Sequence, residues 1–345
     1  GTPANKEILA QSGLTTAETE QAAQDDLVIV ISAATAAAAD AALAQVDALL
    51  VAKRAGAAGG DYRPKSLAAA VRQLPEARWV LISVPGRYAA AVAGEALDLG
   101  RNVFLYSDNV SLADETALKQ KAAAKGLLVM GPDCGTAIVA GIGLGFANRV
   151  RPGPIGLVGA SGTGLQLATA RIHQLGSGIT HALGTGGRDL SEQVGAITAR
   201  QSLALLAADP ATQVIVLISK PPAAAVAEQL LRQAQAAGKP VVVNFIGYKA
   251  GDVQLDNVYF VPTLDAAAQL AVELAAFEGQ AAPSPALAIF APGQRYLRGL
   301  YSGGTLAAEA QAILVDYLPA VYANAPLQKQ NKLESALVSR RHTII

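Results

Sequence analysis

The sequence predicts an α/β protein of stacked, doubly wound layers on parallel sheets. Three observations carry this. Short runs of Val, Ile and Leu are apolar almost without interruption, which suits strands covered on both faces. Ala- and Leu-rich stretches of helical length lie between them. Several of the apolar runs pass straight into Gly-, Ser- and Thr-rich turns that open a helix. Strand–helix–strand alternation of this kind implies crossover connections in a parallel sheet.

Leu27–Ile31 is the first strand-like run. Ala33–Leu50 follows, and its low-complexity start reads as helix because Leu43, Val46, Leu49 and Leu50 continue an apolar face. Trp79–Val84 leads into a helix over Arg87–Leu99, and Val103–Tyr106 and Leu127–Met130 complete this group of strands. Arg151-Pro152-Gly153-Pro154 then breaks the pattern before a new strand, Ile155–Val158. After it come helices over Leu165–Leu175 and Leu203–Ala208, a strand at Val214–Ile218 and a helix over Ala223–Ala237. Strands at Val241–Phe245 and Val258–Val261 and a helix over Leu264–Glu278 end this second group. Gly279–Pro285 is a linker by composition. The breaks near 150 and 282 give domains over 1–150, 151–280 and 281–345, the last one incomplete. The opening Gly1–Asn5 reads as the turn after a strand and His342–Ile345 as the start of one, so further sequence is expected beyond both ends.

Composition narrows the function. The 345 residues carry 27 basic and 27 acidic side chains, 52% hydrophobic and 16% charged residues, enough apolar content for sizeable cores. Balanced charge argues against nucleic acid or an anionic membrane surface as partner. A single cysteine, Cys134, excludes a disulfide scaffold, and with three histidines (His173, His181, His342) no metal site is expected. No apolar run reaches the roughly 18 residues of a membrane span and no signal peptide opens the chain, so a cytoplasmic protein is expected.

The strongest local signal is Ile155–Gln166, where a strand enters the turn Ser161-Gly162-Thr163-Gly164 and then a helix. Such a turn aims free amides and the positive end of a helix at one point, and its hydroxyls add donors, as a phosphate or acyl phosphate requires. A tight turn with Ser161 as helix N-cap explains the same residues, and the spacing does not choose between the two. It is neither a nucleotide P-loop, lacking Gly-Lys-Ser/Thr, nor a full dinucleotide fingerprint. Gly299–Leu306 repeats the pattern with Gly303, Gly304 and Thr305; capping is the simpler account of it alone, but together the two suggest helix ends facing one phosphate. In Met130–Ile138, Cys134 has no histidine close in sequence and reads as a small buried thiol in a loop that can line a crevice. Arg87 in Ser83–Tyr88, Arg188 in Gly184–Asp189 and Lys220 in Ser219–Pro222 lie where strands should end and can meet an anion, or simply face solvent. His181 reads as a packed residue.

Taken together, GPDCGTAI at 131–138, LGFAN at 144–148, GPIGLVGASGTGLQ at 153–166, GITHALGTGGRDLSEQVG at 178–195, VIVLISKPPA at 214–223 and GLYSGGTLAAEAQ at 299–311 closely resemble the FdrA family. That family is similar to the succinyl-CoA synthetase α subunit with a further ligase-type domain fused after it. The resemblance covers the chain from about residue 78 and, more loosely, its start.

It implies a Rossmann-like CoA-binding-type domain over 1–150, a flavodoxin-like ligase-type domain over 151–280 and the start of a second one over 281–345. It also implies that Ser161, Gly162 and Thr163 hold a phosphoryl group, that Gly303, Gly304 and Thr305 face it, and that Ser83, Pro85, Arg87, Gly131, Pro132 and Cys134 belong to loops around CoA. CoA is therefore a candidate cofactor.

The chain departs from the synthetase at three points. Asn244–Gly251 lacks the phosphohistidine, Lys220 replaces the glutamate that steadies it, and the early glycine-rich turn is absent after Asp26–Ile31. Without the histidine, the resemblance implies direct binding of phosphate or carbamoyl phosphate, with Lys220 and Arg188 as the catalytic cations for an anionic substrate. It implies acyl-phosphate-type group transfer, concretely as a subunit of oxamate carbamoyltransferase (oxalurate and phosphate interconverting with oxamate and carbamoyl phosphate) in purine and allantoin breakdown. Partner subunits and homo-oligomers are expected. The alternatives are an acyl-CoA synthetase using CoA and a nucleotide, and a non-catalytic scaffold or regulatory subunit.

Overall fold

The computed structural model describes residues 2–23, 26–48, 64–247, 254–275 and 295–345. Contacts divide the chain into two units, Gly1–Ser66 and Leu67–Ile345.

In the first unit, helices α1 (Pro3–Gln11), α2 (Ala17–Gln21) and α3 (Ala36–Leu43) begin at Thr2, Thr16 and Thr35. Each threonine hydroxyl accepts the amide three residues on, which satisfies one of the orphan donors of a helix start. Leu27–Ile31 has no ladder partner among the described residues, so the first strand expected from sequence is not formed there.

The second unit opens with α4 (Leu67–Gln73) and a parallel sheet in the order β1 (Trp79–Ile82), β2 (Asn102–Leu105), β3 (Val129–Met130). Helices α5 (Gly86–Asp98) and α6 (Leu112–Ala124) make the crossovers. Ala89, Ala93 and Ala96 recur at helical spacing and are fully buried on α5. Gly86 is required by space, since a Cβ there would overlap the Asp108 carbonyl oxygen.

A larger sheet follows. It comprises β4 (Thr136–Val139), β5 (Ile142–Gly145), β6 (Pro152–Gly159), β7 (Ile179–Gly184), β8 (Val214–Ser219), β9 (Val241–Phe245), β10 (Gln254–Leu255) and β11 (Val258–Phe260). Their order is β10-β11-β9-β8-β6-β7-β4-β5, parallel from β11 to β7 with antiparallel strands at both edges. The hairpin β4–β5, placed before the break near 150 in the sequence reading, thus pairs with the sheet that follows the break. One face of this sheet packs on α7 (Gly162–Gln174) and α10 (Leu264–Leu274), the other on α8 (Ile197–Ala208) and α9 (Ala224–Gln235). Two covered faces explain why β8 and β9 are buried at every position.

The Gly279–Pro285 linker lies outside the described residues. Beyond it, β12 (Arg298–Gly299), α11 (Gly304–Leu314), β13 (Tyr322–Ala323) and β14 (Thr343–Ile344) form a small parallel sheet, order β12-β14-β13, with one helix.

Candidate functional site

Strand β6 lies between β7 and β8. The chain lays β7 on one side of β6 and then returns to lay β8 on the other, so strand order reverses here. The loops after β6 and β8 therefore flank a crevice at the carboxyl ends of the strands. Those loops are Ala160–Ser161 and Lys220–Ala223. A cavity of about 330 Å³ opens there, and Ser161, Gly162, Thr163, Lys220, Gly304 and Thr305 all line it.

Two helix starts meet at this point. Ser161 caps α7, its Oγ accepting the Gly164 amide at 2.9 Å. The same oxygen donates to Thr305 Oγ1 on α11 at 2.7 Å. Both hydroxyl groups are buried. Gly303, the N-cap of α11, has no side chain to satisfy the following amides. The first amides of each helix have no acceptor within the helix, so those of Gly162, Thr163, Gly304 and Thr305 are open to an acceptor from outside it. The Thr305 hydroxyl, having accepted from Ser161, has its own hydrogen left to give. Glycine is required at 303 by packing: a Cβ would lie 2.8 Å from Thr163 Cβ and closer still to its Oγ1. The Lys220 amine lies beside the first residue of α11, 3.5 Å from where a Gly304 Cβ would stand. Helix α11 is held in place a second time by buried Glu309, whose carboxylate accepts the Leu264 amide at the start of α10 at 2.6 Å. Burial holds that carboxyl above its ordinary range.

Not every candidate reaches the cavity. Arg188 does not line it. Its guanidinium instead donates to the Val110 carbonyl at 2.9 Å and approaches buried Glu115 Oε2 at 2.8 Å, so the structure assigns it to an ion network. Ser83, Pro85 and Arg87 are exposed at the end of β1, where Arg87 stacks on Tyr88, and none of them lines the cavity. Gly131 and Pro132 are buried and act through the backbone: a Cβ on Gly186 would overlap the Pro132 carbonyl oxygen. Cys134 does line the cavity, but only 3% of it is exposed and burial pushes its thiol up to about 12. The thiolate, the reactive form, is thereby disfavoured at pH 8. The native protein is expected to be inert to a chromogenic aromatic disulfide at pH 8 and to titrate one equivalent in guanidinium; fast reaction of native protein would contradict this burial.

Sequence reasoning missed Asp133 and Gln166, which also line the cavity, and Lys119. Lys119 is fully buried on α6 and donates to Glu115 Oε1 at 2.9 Å, Asp189 Oδ1 at 2.7 Å and the Thr185 carbonyl at 2.9 Å. Asp189 in turn accepts the amides of Thr198 and Ala199 at the start of α8. Glu115, Lys119, Arg188 and Asp189 thus form a balanced network that fixes the loop carrying Gly186 and Gly187, one wall of the cavity. Charged residues four apart on α6 were the available signal, but that spacing usually marks an exposed pair.

The chain is 41% identical over 353 residues to the uncharacterized protein YahF of Escherichia coli K12, an alignment covering 100% of this chain and 68% of YahF. The chain belongs to the YahF family. Within that family relationship, residues 150–247 match the CoA binding domain and residues 1–65 match the AllF heavy metal-associated domain. The chain is also 31% identical over 145 residues to a mitochondrial ADP-forming succinate–CoA ligase α subunit of Trichomonas vaginalis, covering 41% of this chain and 46% of that one. Among solved structures, PH0766 of Pyrococcus horikoshii OT3 matches with TM-score 0.51 at 16% identity over 63% of this chain and 50% of that one, a likeness of fold. The chain spans only about half the length of these last two proteins. This member of the YahF family therefore has a succinyl-CoA synthetase α-like, CoA-binding α/β fold.

The heavy-metal match does not extend to the donors. Residues 1–65 contain no cysteine, histidine or methionine, and soft metals select those ligands. The CoA-binding match is better supported by its residues, because the glycine-walled cavity and its free amides suit the phosphate groups that CoA carries. None of the described helices is long and apolar enough to cross a membrane.

Proposed function

We propose that this YahF-family chain binds a phosphoryl or acyl-phosphate reactant directly between α7 and α11 and takes part in acyl-phosphate-type group transfer. The observation that carries it is the hydrogen bond between Ser161 and Thr305, residues 144 apart in sequence, which brings two helix starts and Lys220 to one small cavity. Fixed amides and an ammonium group aimed at one point stabilise charge that develops on phosphate oxygens. A covalent histidine carrier has no candidate at the site. His173, His181 and His342 each accept a backbone amide elsewhere, from Arg151, Ala140 and Leu297, and the stretch 244–251 holds no histidine.

The concrete reaction is carbamoyl transfer. An oxygen of hydrogen phosphate attacks the ureido carbonyl of oxalurate, the C–N bond breaks, and the oxamate nitrogen leaves with the proton that the phosphate gives up as carbamoyl phosphate forms. In this reading Lys220 supplies the substrate-facing charge, residues from 295 onward contribute the second half of a ligase-type site, and further subunits of the same protein or others complete the enzyme. The second reading, an acid–CoA ligase, is favoured by the match of residues 150–247 to the CoA binding domain.

Thermal protection tests the first reading. Inorganic phosphate and carbamoyl phosphate should raise the Tm of the wild type, and Thr305→Val, which leaves the α7 cap intact, should weaken both ligands about tenfold, the effect of one lost hydrogen bond to a charged group. Ser161→Ala should do the same and also cost about 1 kcal/mol of helix capping. No protection by either ligand, or a stable phosphoenzyme from labelled ATP, would reject direct binding.

A further inference from the structure

Asp133 is out of keeping with an anion site. This exposed residue lines the cavity that holds two helix starts and Lys220, and no cation or amide among the described residues pairs with its carboxylate. The backbone fixes it there. Asp133 lies in the left-handed region at φ 54°, its amide donates to the Ser107 carbonyl at 3.0 Å, and its neighbours Pro132 and Cys134 are buried. A second acceptor stands on the same cavity. Gln166 Nε2 donates to Thr136 Oγ1 and to the Phe146 carbonyl, both at 3.1 Å, which spends its two amide hydrogens and leaves Oε1 as its open atom. The cavity lining therefore combines two kinds of group: helix amides, the Thr305 hydroxyl and an ammonium group that give hydrogen bonds, and a carboxylate and an amide oxygen that accept them. A bare phosphate satisfies the first and is repelled by the second. An occupant that suits both carries its own N–H donors next to its anionic group.

We infer that Asp133 and Gln166 are specificity-determining residues that accept hydrogen bonds from an N–H-bearing acyl group, so that the site selects it over a carbon-terminated acyl group of the same shape. The inference rests on the anion site proposed above. Acetyl phosphate and carbamoyl phosphate differ by CH₃ against NH₂, which makes them the probes, with inorganic phosphate as reference. Carbamoyl phosphate should bind the wild type about tenfold more tightly than acetyl phosphate, because only its amide can donate to the two acceptors, one of them charged. Asp133→Asn, which tolerates the left-handed conformation, should bring that ratio towards one while tightening inorganic phosphate, since a repelling charge is gone. Gln166→Leu should lower the ratio without that gain. Equal binding of the two acyl phosphates by the wild type, or a ratio unchanged in both variants, overturns the assignment. So does phosphate binding that requires Mg²⁺ and loses that requirement in Asp133→Asn, which would give the acceptors to a divalent cation. If inorganic phosphate fails to bind at all, the anion site itself is refuted and this inference with it.

Discussion

Gly303→Ala is expected to lower phosphate affinity by about a hundredfold or more, the cost of misplacing a site's groups by about an ångström. The reason is space and not backbone conformation, because Gly303 lies at φ −136°, which any residue adopts. The new methyl carbon would stand 2.8 Å from Thr163 Cβ and 2.5 Å from its Cγ2. Rotating the threonine side chain does not relieve a clash with its own Cβ, so α11 must retreat from α7. That retreat stretches the 2.7 Å bond between Ser161 and Thr305 and opens the cavity between the helix starts. Thr163→Gly in the same protein restores the room, and the double variant should recover most of the affinity, measured as the Tm shift at fixed phosphate concentration. Wild-type affinity in Gly303→Ala alone would show that the close approach of the helices is not what binds the anion.

Lys119→Met should lower the Tm by roughly 10 °C, from a destabilisation of about 3–5 kcal/mol. Both carboxylates that the ammonium meets, Glu115 and Asp189, have side chains fully removed from solvent. Methionine fills a similar volume but leaves two buried acids with Arg188 as their remaining cation. The Thr185 carbonyl also loses its donor, and with it the wall formed by Gly186 and Gly187 loses its anchor, so phosphate affinity should fall too. Lys121 provides the control. It pairs with Asp98 at 2.7 Å where the two side chains are 35% and 60% exposed, and Lys121→Met should move the Tm little. Equal Tm losses in the two variants would mean that the buried network contributes nothing special.

Much of the site was legible before the fold. Ser161–Thr163 and Gly303–Thr305 were legible as helix starts, because small or hydroxyl residues there are a local demand, but the sequence did not choose between capping and an anion as their purpose. Cys134 was legible as a packed thiol for a similar reason: nothing near it in sequence can activate it. Other roles were not legible because they are set at long range. Arg188 looks like a substrate cation until Glu115, on a helix from the preceding layer, takes it up. The hairpin 136–145 looks like the end of one domain until Ile138 pairs with Ala182 in the next. Lys119 looks like a solvated lysine, as most lysines are, until its burial is seen.

Unbroken apolar runs and turn chemistry were enough to establish the strands, helices and glycine-rich helix starts of the second unit, since those follow from interactions within a few residues, though not a strand at Leu27–Ile31. Only the tertiary structure decided that the two helix starts share one cavity, that Lys220 lines it and Arg188 does not, and that Asp133 and Gln166 line it too. Strand order and helix docking set those distances, and both are settled by burial of apolar surface between segments far apart in the chain.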